Sequence, residues 1–100
     1  MNLVRVELPA GLCELARTGR EVRLRVESPV TPARVLDALE QDYPMLLGTI
    51  RDQHTRDRRP FIRYFACQKD FSLQGPDTVL PEAVAAGQEA LLVVGAIAGG

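Results

Sequence analysis

Hydrophobic and polar residues alternate in two stretches near the start of the chain. Val4, Val6 and Leu8 are separated by Arg5 and Glu7, and Val22, Leu24 and Val26 are interleaved with Glu21, Arg23 and Arg25. Successive side chains of a strand point to opposite faces, so period two predicts two strands, each with one dry and one wet face. The segment between them carries Pro9, Gly11 and Gly19 and is too long for a tight turn. A wide hairpin loop is expected there, with Leu12, Leu15 and Ala16 tucked back over the core.

The period changes after Ser28-Pro29. Val35, Leu36, Leu39 and Tyr43 recur at three- and four-residue spacing, while Arg34, Asp37, Glu40 and Gln41 fall on the other side. That pattern predicts an amphipathic helix over Pro32–Tyr43 whose charged side faces water. Thr31 is placed to cap it, Pro32 suits the first helical position, and Pro44 ends it.

Pro44 to Gly48 reads as a short apolar turn. From Arg51 to Arg59 the residues Arg51, Asp52, Arg56, Asp57, Arg58 and Arg59 follow no period, which predicts a solvated loop with the core resuming at Phe61. Phe61 to Cys67 has the aromatic and branched content of a strand, Gln68-Lys69-Asp70 a turn, and Phe71 to Leu73 a shorter strand, broken by Gly75-Pro76-Asp77. Pro81 to Ala86 predicts one helical turn stopped by Gly87. Leu91 to Val94 is wholly apolar and is expected to be a strand buried on both sides.

Length and composition constrain this outline. One hundred residues, 46% hydrophobic, support a single core, so residues 1–95 are expected to form one domain and 96–100 a flexible tail. A net charge of -1 offers no basic field for nucleic acid or an anionic membrane, which leaves proteins or small molecules as partners. The longest apolar run, Leu91 to Ala98, falls far short of the ~20 residues that span a bilayer. Met1 leads straight into an alternating segment rather than a signal peptide, so a cytoplasmic location is expected.

Candidate chemistry is sparse. Cys13 and Cys67 are far apart, and neither has a Cys or His at metal-ligand spacing, so no metal site is expected and both read as structural thiols. His54, the only histidine, lies in the charged loop and is assigned no role. Arg56, Arg58, Arg59 and Arg63 are diluted by Asp52 and Asp57 and lack the interleaved aromatics of a nucleic-acid surface. What remains is the end of the sequence, Ala96-Ile97-Ala98-Gly99-Gly100, which has no ionisable side chain and closes on two residues with none at all. Such a tail can enter a channel too narrow for a Cβ, and five extended residues reach on the order of 17 Å. Its α-carboxylate is an anion at neutral pH and a poor electrophile, so reaction there requires activation. The chain has no nucleotide-binding motif, so the activator must be another protein.

With this order of elements ending on Ala98-Gly99-Gly100, the whole chain resembles the MoaD/ThiS family of ubiquitin-like sulfur carriers. Pro32 to Tyr43 falls where that family has its single helix, and Pro81, Gly87 and Glu89 where it has the turn before its last strand. Two departures stand out: Gly95-Ala96-Ile97 replaces the family's prolines or valine, and Gln88 replaces a common aspartate. The resemblance implies an α+β fold of the β-grasp type, with a mixed sheet of four to five strands packed on one main helix. It further implies a non-enzymatic carrier, with no cofactor bound by the chain itself. An E1-like adenylyltransferase using ATP and Mg2+ would activate Gly100, and a persulfide donor would convert it to a thiocarboxylate. Ala98, Gly99 and Gly100 would be the partner-binding residues. The sulfur would pass to an acceptor enzyme such as a molybdopterin synthase large subunit. Thiamine or another sulfur-containing metabolite, or conjugation to lysines through Gly100, are the alternatives.

Overall fold

The computed structural model describes residues 1–95. Strands β1 (Asn2–Glu7) and β2 (Glu21–Val26) pair antiparallel, with Val4 opposite Leu24 and Val6 opposite Val22. This register stacks the apolar set of both strands on one face, and each of those four side chains is buried. The connection is not the expected open loop. Helix α1 (Ala10–Ala16) begins after Pro9, whose carbonyl accepts from the N–H groups of Leu12 and Cys13, and it stops at Arg17 in the left-handed conformation. Ala16 is buried, and Leu12 and Cys13 pack against the core. A seven-residue helix has little stability of its own, so this contact holds it.

Helix α2 spans Pro32–Asp42, one residue shorter than expected, with Tyr43 as its C-cap. The Thr31 hydroxyl accepts from Arg34 N–H at 3.2 Å, and Val35, Leu36 and Leu39 are buried on the side that packs on β2. A single 3-10 turn, Pro44–Leu46, follows and packs against α1. The core then resumes earlier than expected, because Ile50 and Arg51 are buried while Phe61 stands exposed.

Strand β3 (Ile62–Ala66) turns into β4 (Lys69–Asp70) through Cys67 and Gln68, both at positive φ. Two such residues make the tight turn whose twist suits a hairpin. The turn therefore lies one to two residues earlier than expected, and Phe71, just past β4, is buried. Helix α3 (Glu82–Ala85) ends at Gly87, φ 78°, and β5 (Leu91–Gly95) completes a five-stranded sheet in the order β2-β1-β5-β3-β4. Strand β5 runs parallel to β1 and antiparallel to β3, so the sheet is mixed. The expected sheet and main helix are present, accompanied by two short helices. Strand β5 is buried on one side only: Leu91 and Val93 face the core, and Val94 is exposed on the opposite face.

Candidate functional site

Strand β5 is the element that precedes the predicted tail in the sequence. Its residues are held from both flanks, with Val6 opposite Leu91 on one side and Phe65, Tyr64, Arg63 and Ile62 opposite Leu92 to Gly95 on the other. The turn that feeds it is tied to β1 by Arg5, whose Nε donates to the Gly87 carbonyl at 2.9 Å and whose Nη2 donates to the Gln88 carbonyl at 2.9 Å. Arg5 Nη1 also donates to Glu21 at 2.8 Å, so one guanidinium links β1, β2 and the entry to β5. Gly95 lines an apolar hollow with Pro9, Leu12, Thr49 and Ile62. The predicted site residues Ala98, Gly99 and Gly100 lie outside the described residues, as does the rest of the predicted tail from Ala96.

Beside β5, the sheet face away from α2 exposes Leu3 and Val94, and Arg23 and Arg25 of β2 also stand exposed. Arg63 donates to Asp70 at 3.1 Å. The Ser72 hydroxyl and N–H, and then Arg63, hold the Asp70 carboxyl below its ordinary range.

A second cluster had no counterpart in the sequence reading. Glu40, expected on the wet side of α2, is buried, and it meets Arg51, expected in a solvated loop. Arg51 Nε donates to one Glu40 oxygen at 3.0 Å and Nη2 to the other at 2.8 Å, a bidentate pair whose side chains are 4% and 7% exposed. Arg51 Nη2 also reaches Asp37 at 2.6 Å, and Arg56 Nη2 donates to the same Asp37 oxygen. Despite the cost of burial, these carboxylates keep the Arg51 pKa raised. Arg58 donates to the carbonyls of Ile62 (2.7 Å), Ser72 (3.2 Å) and Arg59 (3.3 Å). Tyr64 lies near both, and burial pushes its phenol up to about 12 while Arg58 and Arg51 pull it down. A glutamate four residues after Leu36 is the signal that could have exposed this pair, since that spacing places it at the buried edge of the helix.

The remaining candidates stay apart. Cys67 is exposed on the β3–β4 turn, and Cys13 donates weakly to the Leu8 carbonyl; both are free thiols. His54 sits in a loop organised by Asp52, which accepts from the N–H groups of His54 and Thr55. Among the described residues no His, Cys, Asp or Glu cluster could hold a metal ion, and no helix is long and apolar enough to cross a membrane.

No protein-family model matches this sequence, and no curated protein matches it. Solved structures do. The chain superposes on SAMP1 from Haloferax volcanii with a TM-score of 0.76 at 23% identity, covering 98% of this chain and 99% of that one. A chain of the BexX/CysO complex from Amycolatopsis orientalis aligns with a TM-score of 0.73 at 17% identity, over 97% and 99% of the two chains. The small archaeal modifier protein 1 from Methanosarcina acetivorans aligns with a TM-score of 0.71 at 24% identity, over 100% and 98%. End-to-end coverage at these scores, together with a five-stranded mixed sheet on one main helix, shows that the chain has the ubiquitin-like β-grasp fold.

Proposed function

We propose that the chain is a MoaD/ThiS-type sulfur carrier that works through the carboxylate of Gly100. The observation that supports the proposal is the Ala98-Gly99-Gly100 ending of a β-grasp chain, five residues or fewer beyond a strand, β5, that is held from both flanks in the middle of the sheet. An E1-like partner joins the carboxylate to the α-phosphate of ATP with release of pyrophosphate, Mg2+ serving the partner. The outer sulfur of a donor persulfide then displaces AMP to give an acyl disulfide, and a partner thiol attacks the donor's sulfur, forming a disulfide with it and releasing Gly100 as a thiocarboxylate for an acceptor enzyme. Gly99 and Gly100 let the tail thread a narrow channel, and Ala98 adds the smallest side chain. The chain supplies a positioned substrate; the catalysis belongs to its partners. The acceptor is most specifically a molybdopterin synthase large subunit. Deleting Gly99 and Gly100 is expected to abolish sulfur transfer to the acceptor, and a fully active truncated protein overturns the proposal.

The names of two structural neighbours favour a second reading, attachment of Gly100 to lysines of other proteins. Peptide mass spectrometry of cell lysates separates the two: Gly100 joined to lysine side chains supports conjugation, and its absence where thiocarboxylate forms supports the carrier.

A further inference from the structure

The ion cluster beneath α2 opens onto a cavity of about 270 Å³, lined by Arg51, Arg56, Arg58, Tyr64, Ser72 and Gln74 among others. This lies just under the ~300 Å³ at which small-molecule pockets begin, so any occupant is small. The lining holds more donors than the protein uses. Arg51 spends Nε and Nη2 on Glu40 and Asp37, and its Nη1 has no hydrogen-bond partner among the described residues. Arg58 spends Nε and Nη1 on carbonyls, and its Nη2 has none. Tyr64 Oη has none either, although the residue is buried. Among the described residues no fully enclosed side-chain polar atom lacks a partner, so Arg51 Nη1 and Tyr64 Oη both reach accessible space.

Charge sharpens the picture. Arg51, Arg56 and Arg58 are matched in number by Asp37, Glu40 and Asp57, but not in place. Glu40 and Asp37 engage Arg51 and Arg56, whereas Arg58 makes no ion pair among the described residues and is held by neutral carbonyls. Asp57 lines the same cavity and also makes no ion pair among the described residues. An anion seated against Arg58 and Arg51 would gain charge-assisted hydrogen bonds from donors already fixed by packing, opposed by Asp57. Two guanidinium nitrogens and a phenol, contributed by separate segments, suit the several oxygens of a tetrahedral oxyanion.

We propose that this cavity binds a phosphate group, as the free ion or as a small phosphate monoester, through Arg51 Nη1, Arg58 Nη2 and Tyr64 Oη. The test is an NMR titration of the full chain with inorganic phosphate at constant ionic strength, following backbone amides and arginine Nε–H signals. Saturable shifts confined to Arg51, Arg58, Tyr64, Ser72 and Gln74 are expected. R58Q should weaken binding by about tenfold, the loss of one charge-assisted hydrogen bond, and D57N should tighten it. Shifts that rise linearly and spread over the surface arginines, or an R58Q affinity equal to that of the parent, overturn the proposal. Arg58 also holds the carbonyls of Ile62 and Ser72, so if R58Q loses its dispersed spectrum, Y64F decides: weaker binding upholds the site, and unchanged binding overturns it. A parallel titration with ribose 5-phosphate identifies the source, tighter binding than inorganic phosphate indicating a monoester and equal or weaker binding the free ion.

Discussion

At the scale of single residues, the buried Glu40–Arg51 pair carries the largest stake. Removing one partner of such a pair strands a buried charge, so Glu40→Ala is expected to lower stability by about 3 kcal/mol, the low end of the usual range because Asp37 still faces Arg51. Glu40→Leu combined with Arg51→Met should recover most of that loss. Urea midpoints with unchanged slopes are the measurement. The pair was illegible in the sequence because a charged residue at the border of an apolar stripe looks solvated until its partner is placed, and Arg51 sits in a segment with no period. Acid sensitivity lives at this scale too. Asp52, through the N–H groups of Thr55 and then His54, and Asp70, through Ser72 and then Arg63, have pKa values below the ordinary 3.8. The folded state thus binds these protons more weakly than the unfolded chain. Their contribution is complete above about pH 4 and is lost as pH falls through and below 3.8. Asp52→Asn with Asp70→Asn should flatten the loss of stability between about pH 4 and pH 2, read from urea midpoints; an acid limb as steep as the parent's contradicts the assignment.

At the scale of elements, what could be read in advance was whatever carried a full period. Strands β1 and β2 and helix α2 were legible from their spacing, and Thr31 and Pro32 marked the start of α2 within the residue. Helix α1 was not, since Leu12, Leu15 and Ala16 span too few turns to show a period and Pro9 and Gly11 look like loop punctuation. The β3–β4 turn was placed one to two residues late because Cys67 and Gln68, not glycine or asparagine, adopt its positive φ. Strand β5 was placed correctly but read as buried on both faces, because Leu92 and Val94 are apolar and the open side of the sheet leaves no mark on them. The glycines make a comparative prediction. A Cβ on Gly87, φ +78°, would lie 3.1 Å from the Leu3 carbonyl oxygen, whereas one on Gly48, φ +81°, meets only the Gln53 side-chain end at 3.7 Å. Both alanine variants incur about 1 kcal/mol of left-handed strain, and Gly87→Ala adds a tight backbone contact that a shift of a few tenths of an ångström must relieve, so its total should reach about 2 kcal/mol. Thermal or urea unfolding of the two variants side by side checks the order; equal losses contradict it.

At the scale of the whole molecule, the fold was legible, and the proposed chemistry lies at the end of the sequence, outside the described residues. The β-grasp arrangement places β5 between β1 and β3, in the middle of the sheet, while α2 covers one face and leaves the other open. Gly99 and Gly100 have no side chain to bury, so deleting them should change folding stability by less than about 0.5 kcal/mol while removing the proposed reactive group. The acceptor that the proposed carrier would serve was not legible, because an acceptor enzyme is recognised by surfaces whose partner the chain does not contain. The central claim is that Gly100 accepts sulfur. Its most direct test is intact-mass spectrometry of the full chain after incubation with its E1-like activating enzyme, ATP, Mg2+, a persulfide donor and a thiol that cleaves the acyl disulfide. The account predicts a mass gain equal to the exchange of one oxygen for one sulfur, dependent on ATP and located at Gly100 by fragmentation; an unchanged mass with every component present contradicts it.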